Sequence, residues 1–219
     1  MQSLRPSKRT PVVRAIGAAA FGLSAYAWLL RPRYLRWGTT LAERNSWLPG
    51  DGNVPHPRQV SNRAVTIETP AAEVWPWLAQ IGQGRGGFYS YDRLENLVGA
   101  DIHSADEILP EFREISPGDR VYIGRNGPFY TVAEVQSEHY LLLRADAPEG
   151  EDPPIEETWL FYLAPESASR TRMIARNRRA YAPTLPNFLM WKVLVEPLHH
   201  IMERKMLLGI KARAEASHG

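Results

Sequence analysis

The order of patterns along this chain predicts an α+β fold in which a curved antiparallel sheet packs against a long C-terminal helix. Three observations carry the prediction. One alternating stretch precedes two helical patterns, a run of strand-like segments follows, and a long helical pattern closes the chain. Elements grouped in blocks, rather than alternating one by one, give an antiparallel sheet with its helices to one side. Of the 219 residues, 44% are hydrophobic and 10% aromatic, enough for one sizeable core and at most two domains. Cysteine is absent, so no disulfide, thiolate nucleophile or cysteine-based metal site contributes.

The N-terminal 36 residues carry seven basic residues (Arg5, Lys8, Arg9, Arg14, Arg31, Arg33, Arg36) and no acid. Between the basic clusters runs the uncharged stretch AIGAAAFGLSAYAWLL, Ala15 to Leu30. As a helix it spans roughly 24 Å at ~1.5 Å per residue, a little short of a ~30 Å hydrocarbon core. Val12 and Val13 extend it if Arg14 snorkels, and Trp28 and Tyr34 fall where amphipathic rings favour an interface. Residues 1–36 are therefore read as a basic N-terminus and a hydrophobic helix, a single-pass membrane anchor. A signal peptide cut near SAYA and a surface or packed helix are the alternatives. Four basic residues before the stretch and three after it leave the side of the folded domain open. The rest of the chain holds 19 basic against 24 acidic residues, which removes the main support for a nucleic-acid partner.

Residues 37–59 contain Pro, Gly and Asn without apolar periodicity and read as a linker or extended lead-in to a domain over 60–216. SNRAVTIET alternates, with Val65 and Ile67 on one face, and predicts a half-buried strand. Thr69 is placed to cap a helix that begins at Pro70 and buries Val74, Trp77, Leu78 and Ile81. After a glycine-rich loop, SYDRLENLVG predicts a second short helix with Leu94, Leu97 and Val98 as its apolar side. Five strand candidates follow: DRVYIG, FYTVAEVQ, YLLLRA, ETWLFYLA and TRMIARNRR, with Asn126-Gly127 as a hairpin turn. The last helix runs from about Asn187 to Glu215, interrupted or kinked at Pro197. A long helix against a curved sheet encloses a cavity, a natural ligand site.

The loop GQGRGG, Gly82 to Gly87, satisfies G-x-G-x-x-G letter for letter. A dinucleotide fingerprint needs a strand before the glycines, inside a βαβ unit. Here VWPWLAQI precedes them, with a proline and helical spacing. No nucleotide is expected at Gly82–Gly87; the glycines instead supply positive φ and close backbone approach between two helices.

TIETPAAEVWPWLAQIGQGRGGFYSYDRLENLVGADIHSADEILPEF, followed by PGDRV, resembles a bacterial group within the SRPBCC superfamily, the START-like and Bet v 1-like helix-grip proteins. The resemblance covers roughly residues 60–215. It implies a seven-stranded antiparallel sheet wrapped around the C-terminal helix and a deep hydrophobic cavity. The superfamily includes lipid, sterol and hormone binders and polyketide cyclases, and the resemblance carries over no catalytic residue.

Arg85, Phe88, Tyr89, Tyr91, Trp159, Phe161 and Trp191 are the candidate ligand-binding residues. Arg85 and Tyr89 are placed to reach a polar end of a ligand, and the aromatics to wall its apolar body. The structural alternative is that tyrosines and carboxylates tie the glycine loop down, with Arg85 pairing Asp92; Asp92 and Glu95 sit one turn apart. His103 with Asp106 has no nucleophile pattern beside it. His199 and His200 point about 100° apart on a helix, poor geometry for chelating one metal. No metal or cofactor is expected. The basic run Arg170, Arg172, Arg176, Arg178, Arg179 is either a face for acidic lipid headgroups or a face paired with acids such as Glu156 and Glu157. The leading expectation is a binding module for a small hydrophobic ligand, tethered to a membrane. A cyclase/dehydratase-like enzyme using the same cavity, and an interaction protein with a filled cavity, are the alternatives.

Overall fold

The computed structural model describes residues 14, 22, 26–125, 127–148, 150–151, 153 and 155–218. The chain divides into two compact units, Met1–Leu35 and Arg36–Gly219.

In the first unit, Tyr26–Leu30 form a π-helical turn and Arg31–Leu35 an α-helical one. The Tyr26 and Tyr34 hydroxyls are hydrogen-bonded and their rings lie 6.1 Å apart. Most of Ala15–Leu30 lies outside the described residues. Among the described residues no helix is long and apolar enough to cross a membrane, and this overturns the expectation of a single-pass anchor.

In the second unit a short helix α1 (Leu41–Asn45) precedes strand β1 (Gln59–Ile67), helices α2 (Ala71–Ala79) and α3 (Asp92–Leu97), and strands β2 (Arg120–Tyr122), β3 (Phe129–Gln136), β4 (Tyr140–Asp146), β5 (Glu156–Ser167) and β6 (Arg170–Ala180). The last helix, α4, spans Glu196–His218. The sheet order is β1-β6-β5-β4-β3-β2, antiparallel throughout. Among the described residues it has six strands, the six that alternation and apolar runs mark in the sequence, not the seven that the resemblance implies. Between α3 and β2 the only regular turn is a 3₁₀ turn, Pro110–Phe112, and Pro110 and Pro117 disfavour a strand there. Register shifts near Ala133 and Glu166 bend β3 and β5. Asn126, half of the expected hairpin turn, lies outside the described residues.

The two faces of the sheet have different chemistry. Its concave face sets Val65 opposite Met173 and Phe161 opposite Ala175, and packs them on Trp77, Leu78, Leu207 and Ile210 of α2 and α4. Pro70, not Thr69, occupies the cap of α2; Thr69 is buried, and its carbonyl accepts from the Thr171 hydroxyl at 2.8 Å.

The convex face carries a smaller apolar cluster, Ala64, Leu142, Leu160 and Ile174, covered by Leu48. Leu48 belongs to the segment read as a linker. That segment begins with a capping box on Thr40 and Glu43, which starts α1. It then lies on β1 and β6 through the arginines of the basic run. Arg172 donates to Glu43 at 2.7 Å. Arg176 donates to Asp51 at 2.6 Å and to Asn62 at 2.7 Å, and Arg178 donates to the Val54 carbonyl at 3.0 Å. Gly38 has φ of 75°, and a Cβ there would stand 2.1 Å from the Ala64 carbonyl, so only glycine lets the strap touch β1. The outward arginines thus meet acids from the strap. Arg179, on the concave face, pairs with Glu157 at 2.6 Å as the second expectation has it, and Arg170 pairs with Glu166 at 3.0 Å.

Asp51 and Arg176 are each 4% exposed at the side chain, so removing the carboxylate strands a buried cation. Asp51→Ala is expected to cost about 3 kcal/mol or more in urea denaturation. Glu166→Ala, at the exposed pair, is expected to stay within ~0.5 kcal/mol of the parent.

Candidate functional site

The site begins with the glycine loop. An antiparallel bridge joins Gly82 and Gly87, and Gly82, Gly84 and Gly87 have φ of 123°, 73° and 71°. A helix, not a strand, leads into it. The loop carries the chain over α4: a Cβ on Gly209 would stand 2.3 Å from the Tyr89 carbonyl. Tyr89 has φ of 56°, a conformation held by its surroundings. Its hydroxyl accepts from Gln80 at 2.8 Å and donates to the Trp77 carbonyl at 3.1 Å, and its N–H donates to Ser104 at 2.9 Å. Burial pushes the Tyr89 hydroxyl up to about 12, so it stays protonated. This clamp fixes Phe88 and Ser90, the residues on either side.

α3 is turned over relative to its apolar pattern. Leu94, Leu97 and Val98 are 44%, 81% and 83% exposed. Hydrogen bonds decide its orientation. Asp92 accepts from the Ser104 N–H at 2.7 Å and hydroxyl at 2.6 Å, and Asn96 makes two 2.7 Å bonds to the Ile102 backbone. These two residues, four apart, turn one face to the loop and bring Glu95 inward.

Between these pieces lies a cavity of about 260 Å³. Tyr130 and Trp159 come from the concave sheet. Leu198, His199, Met202, Glu203 and Met206 come from α4, with Val195 just before it. Phe88, Ser90 and Glu95 form the opposite wall, and Ile102 and Ile123 complete it. Phe88 and Tyr130 both pack on the Trp159 ring, at 6.3 and 5.6 Å between centroids.

The floor is charged yet paired. Arg63 of β1 and Glu203 of α4 have fully buried side chains and form an ion pair. Glu203 also accepts from Trp159 Nε1 at 2.6 Å, and Arg63 donates to His200 at 3.2 Å. Burial opposes ionisation of Glu203, but the Arg63 charge, with hydrogen bonds from Arg63 and Trp159, outweighs it and holds the carboxyl below its ordinary value. Beside them Glu157 binds Arg179 and Asn177. Burial, reinforced by Glu157, raises the Tyr130 hydroxyl well above its usual range. His199 is driven down to about 4 by burial, aided by Arg63 and Arg179, and is neutral. Glu95 is pushed up to about 7 by burial and by Asp92. Two buried atoms of this wall, Glu95 Oε2 and His199 Nδ1, have no protein partner.

Of the seven candidate ligand-binding residues, Phe88 and Trp159 line the cavity. Arg85 donates to the Ala79 carbonyl at 3.0 Å and lies over the Phe112 ring, not beside Asp92. Tyr89 is the buried clamp. Tyr91 is exposed under Lys205, Phe161 is buried behind Trp159, and Trp191 stacks on Tyr181 beneath Arg179. His103 contacts Asp101 and Asp106 pairs with Arg213, both outside the cavity wall. Among the described residues no group of three His, Asp or Glu side chains is placed to hold a metal.

The arrangement defines an α+β protein whose sheet grips a C-terminal helix around an interior cavity. No family model and no curated protein matches the sequence. Solved structures match in outline. A norcoclaurine synthase from Thalictrum flavum, solved as a point mutant with a transition-state analogue, gives a TM-score of 0.45 at 12% identity over 74% of this chain and 96% of its own. An aromatase/cyclase from a Streptomyces species gives 0.42 at 17% identity over 74% and 96%. The Aha1 dimer from Colwellia psychrerythraea gives 0.43 at 14% over 74% and 99%.

Two outcomes follow from this geometry. Gly209→Ala forces a Cβ into the Tyr89 backbone, and is expected to cost more than ~2 kcal/mol, read by denaturation, because backbone cannot swing aside as a side chain can. Glu95 has a folded pKa of about 7 against an ordinary 4.5, so the folded state holds its proton more tightly. That contribution is whole below pH 4.5 and is lost as pH rises towards 7. His199 works the other way, costing stability as pH falls from 6.5 towards 4. The stability difference between parent and Glu95→Gln is therefore expected to fall across pH 4.5–7 in urea titrations; a flat difference would show that Glu95 ionises normally.

Proposed function

We propose that this chain binds a small, largely apolar molecule in the cavity between the sheet and α4. One observation carries the reading: a space of about 260 Å³ remains where two packed layers should have closed, and nine of its thirteen lining residues are apolar or aromatic. Affinity then comes from apolar burial, roughly 25 cal/mol per Å² removed from water, with the aromatic trio around Trp159 as the rigid surface. The buried charges of the floor pair with one another.

A second reading, acid–base turnover of the bound molecule, is favoured by Glu95. A carboxyl at about 7 both gives and takes a proton near neutral pH, and a neutral imidazole lines the same cavity.

The parent protein is expected to take up one equivalent of a small environment-sensitive apolar dye, with blue-shifted emission and quenching of Trp159. Ile123→Trp, placed where the wall is 37% exposed, is expected to weaken uptake by tenfold or more without loss of fold. Native mass spectrometry with organic extraction reads the natural occupant, and a change in its mass on incubation supports turnover. No dye uptake by the parent sinks the binding reading.

A further inference from the structure

We infer that the molecule taken by this cavity carries a neutral hydroxyl, of an alcohol or a phenol, on its apolar body, and that the cavity refuses carboxylates. The inference rests on the binding reading and gives it a chemical class.

Glu95 Oε2 and His199 Nδ1 are buried, line the same cavity and make no hydrogen bond within the protein; the nearby Ser90 hydroxyl, which donates to the Met202 carbonyl at 3.0 Å, eases the Glu95 carboxyl down only in part. Buried polar atoms are ordinarily satisfied, and an exception marks a place where a partner is missing. The two atoms want opposite things. His199 Nε2 lies 3.8 Å from Glu203 Oε1, which favours the imidazole proton on that nitrogen. Nδ1 is then a bare lone pair, an acceptor. Glu95 has no cation among the lining residues and Asp92 beside it, so burial favours its protonated form, a donor. An O–H group both donates and accepts, so on an apolar body it answers either atom.

The same wall is hostile to an anion. None of its thirteen residues is Lys or Arg. Arg63, behind it, is engaged by Glu203. A carboxylate head would lose its hydration and meet two carboxyls, with no cation in the wall to receive it.

Four naphthalene compounds of nearly one shape separate the possibilities: naphthalene, naphthol, naphthoate and naphthylmethylamine, titrated by calorimetry at about pH 6, where Glu95 is mostly protonated and His199 neutral. Naphthol is expected to bind about tenfold tighter than naphthalene, as one or two added hydrogen bonds allow, and naphthoate at least about tenfold weaker than naphthol. Glu95→Leu and His199→Phe, checked for parental circular dichroism, are each expected to remove most of naphthol's advantage over naphthalene. Naphthoate or the amine matching naphthol overturns the inference. So do variants that fold as the parent and keep the advantage, and so does naphthol binding no better than naphthalene. In those cases apolar binding stands. If naphthalene itself fails to bind, the binding reading fails and takes this inference with it. Should either variant misfold, the four-ligand series on the parent decides alone.

Discussion

The Arg63–Glu203 pair is the contact on which the rest of this domain turns. It joins β1, at one edge of the sheet, to α4, with both side chains wholly withdrawn from water. Two buried charges cost several kcal/mol each to desolvate, and only a close partner with further hydrogen bonds offsets that. Ser61 and His200 supply those bonds to the cation, and the Trp159 indole supplies one to the carboxylate. Sliding α4 by one turn, or β1 by two residues, would strand both charges. The pair therefore pins the helix to the sheet more sharply than apolar contacts do, because greasy surfaces tolerate small displacements and buried charges do not. It also holds Trp159 in place, against which Phe88 and Tyr130 build the cavity.

The convex face follows the same logic with different partners. β6 projects Arg172, Arg176 and Arg178 outward, where a bare row of like charges would repel. The strap from Gly38 to Val54 answers them with Glu43, Asp51 and backbone carbonyls. Its few apolar groups, Leu48 above all, cap the small cluster of Ala64, Leu142, Leu160 and Ile174. Hydrogen bonding and ion pairing fasten the segment, which is why it shows no apolar period.

How much was legible in the sequence follows from what each signal measures. Alternation in SNRAVTIET and TRMIARNRR marks the strands, because a sheet with two unlike faces imposes a period of two. The glycines of GQGRGG are readable as backbone devices, because a helix, not a strand, leads into them. The pattern Leu94, Leu97, Val98 misleads: α3 is six residues long, and the side-chain bonds of Asp92 and Asn96 outweigh an apolar stripe too short to command the helix. Phe88 and Trp159 were within reach as aromatics beside the loop and on a strand. Glu95, His199 and Glu203 were not. What makes them part of the site is the emptiness they face, together with the unpaired atoms of Glu95 and His199 and the long-range pairing of Glu203 with Arg63, and none of these leaves a trace in a one-dimensional pattern.

The stretch that leads into α4, which gives the cavity Val195 alone, differs in kind from the cavity floor. Phe188–Val195 is a π-helical stretch with no buried residue, ending just before Pro197, whose ring cannot donate to the preceding turn. It is tethered at Trp191, sandwiched between Tyr181 and Arg179, while Phe188, Leu189, Val193 and Leu194 face solvent. Lifting such a segment sacrifices little packing, whereas disturbing the floor means breaking buried ion pairs. On the binding reading proposed above, strength of capture thus belongs to the buried residues around Trp159, while the exposed stretch before α4 is free to change with little cost to them.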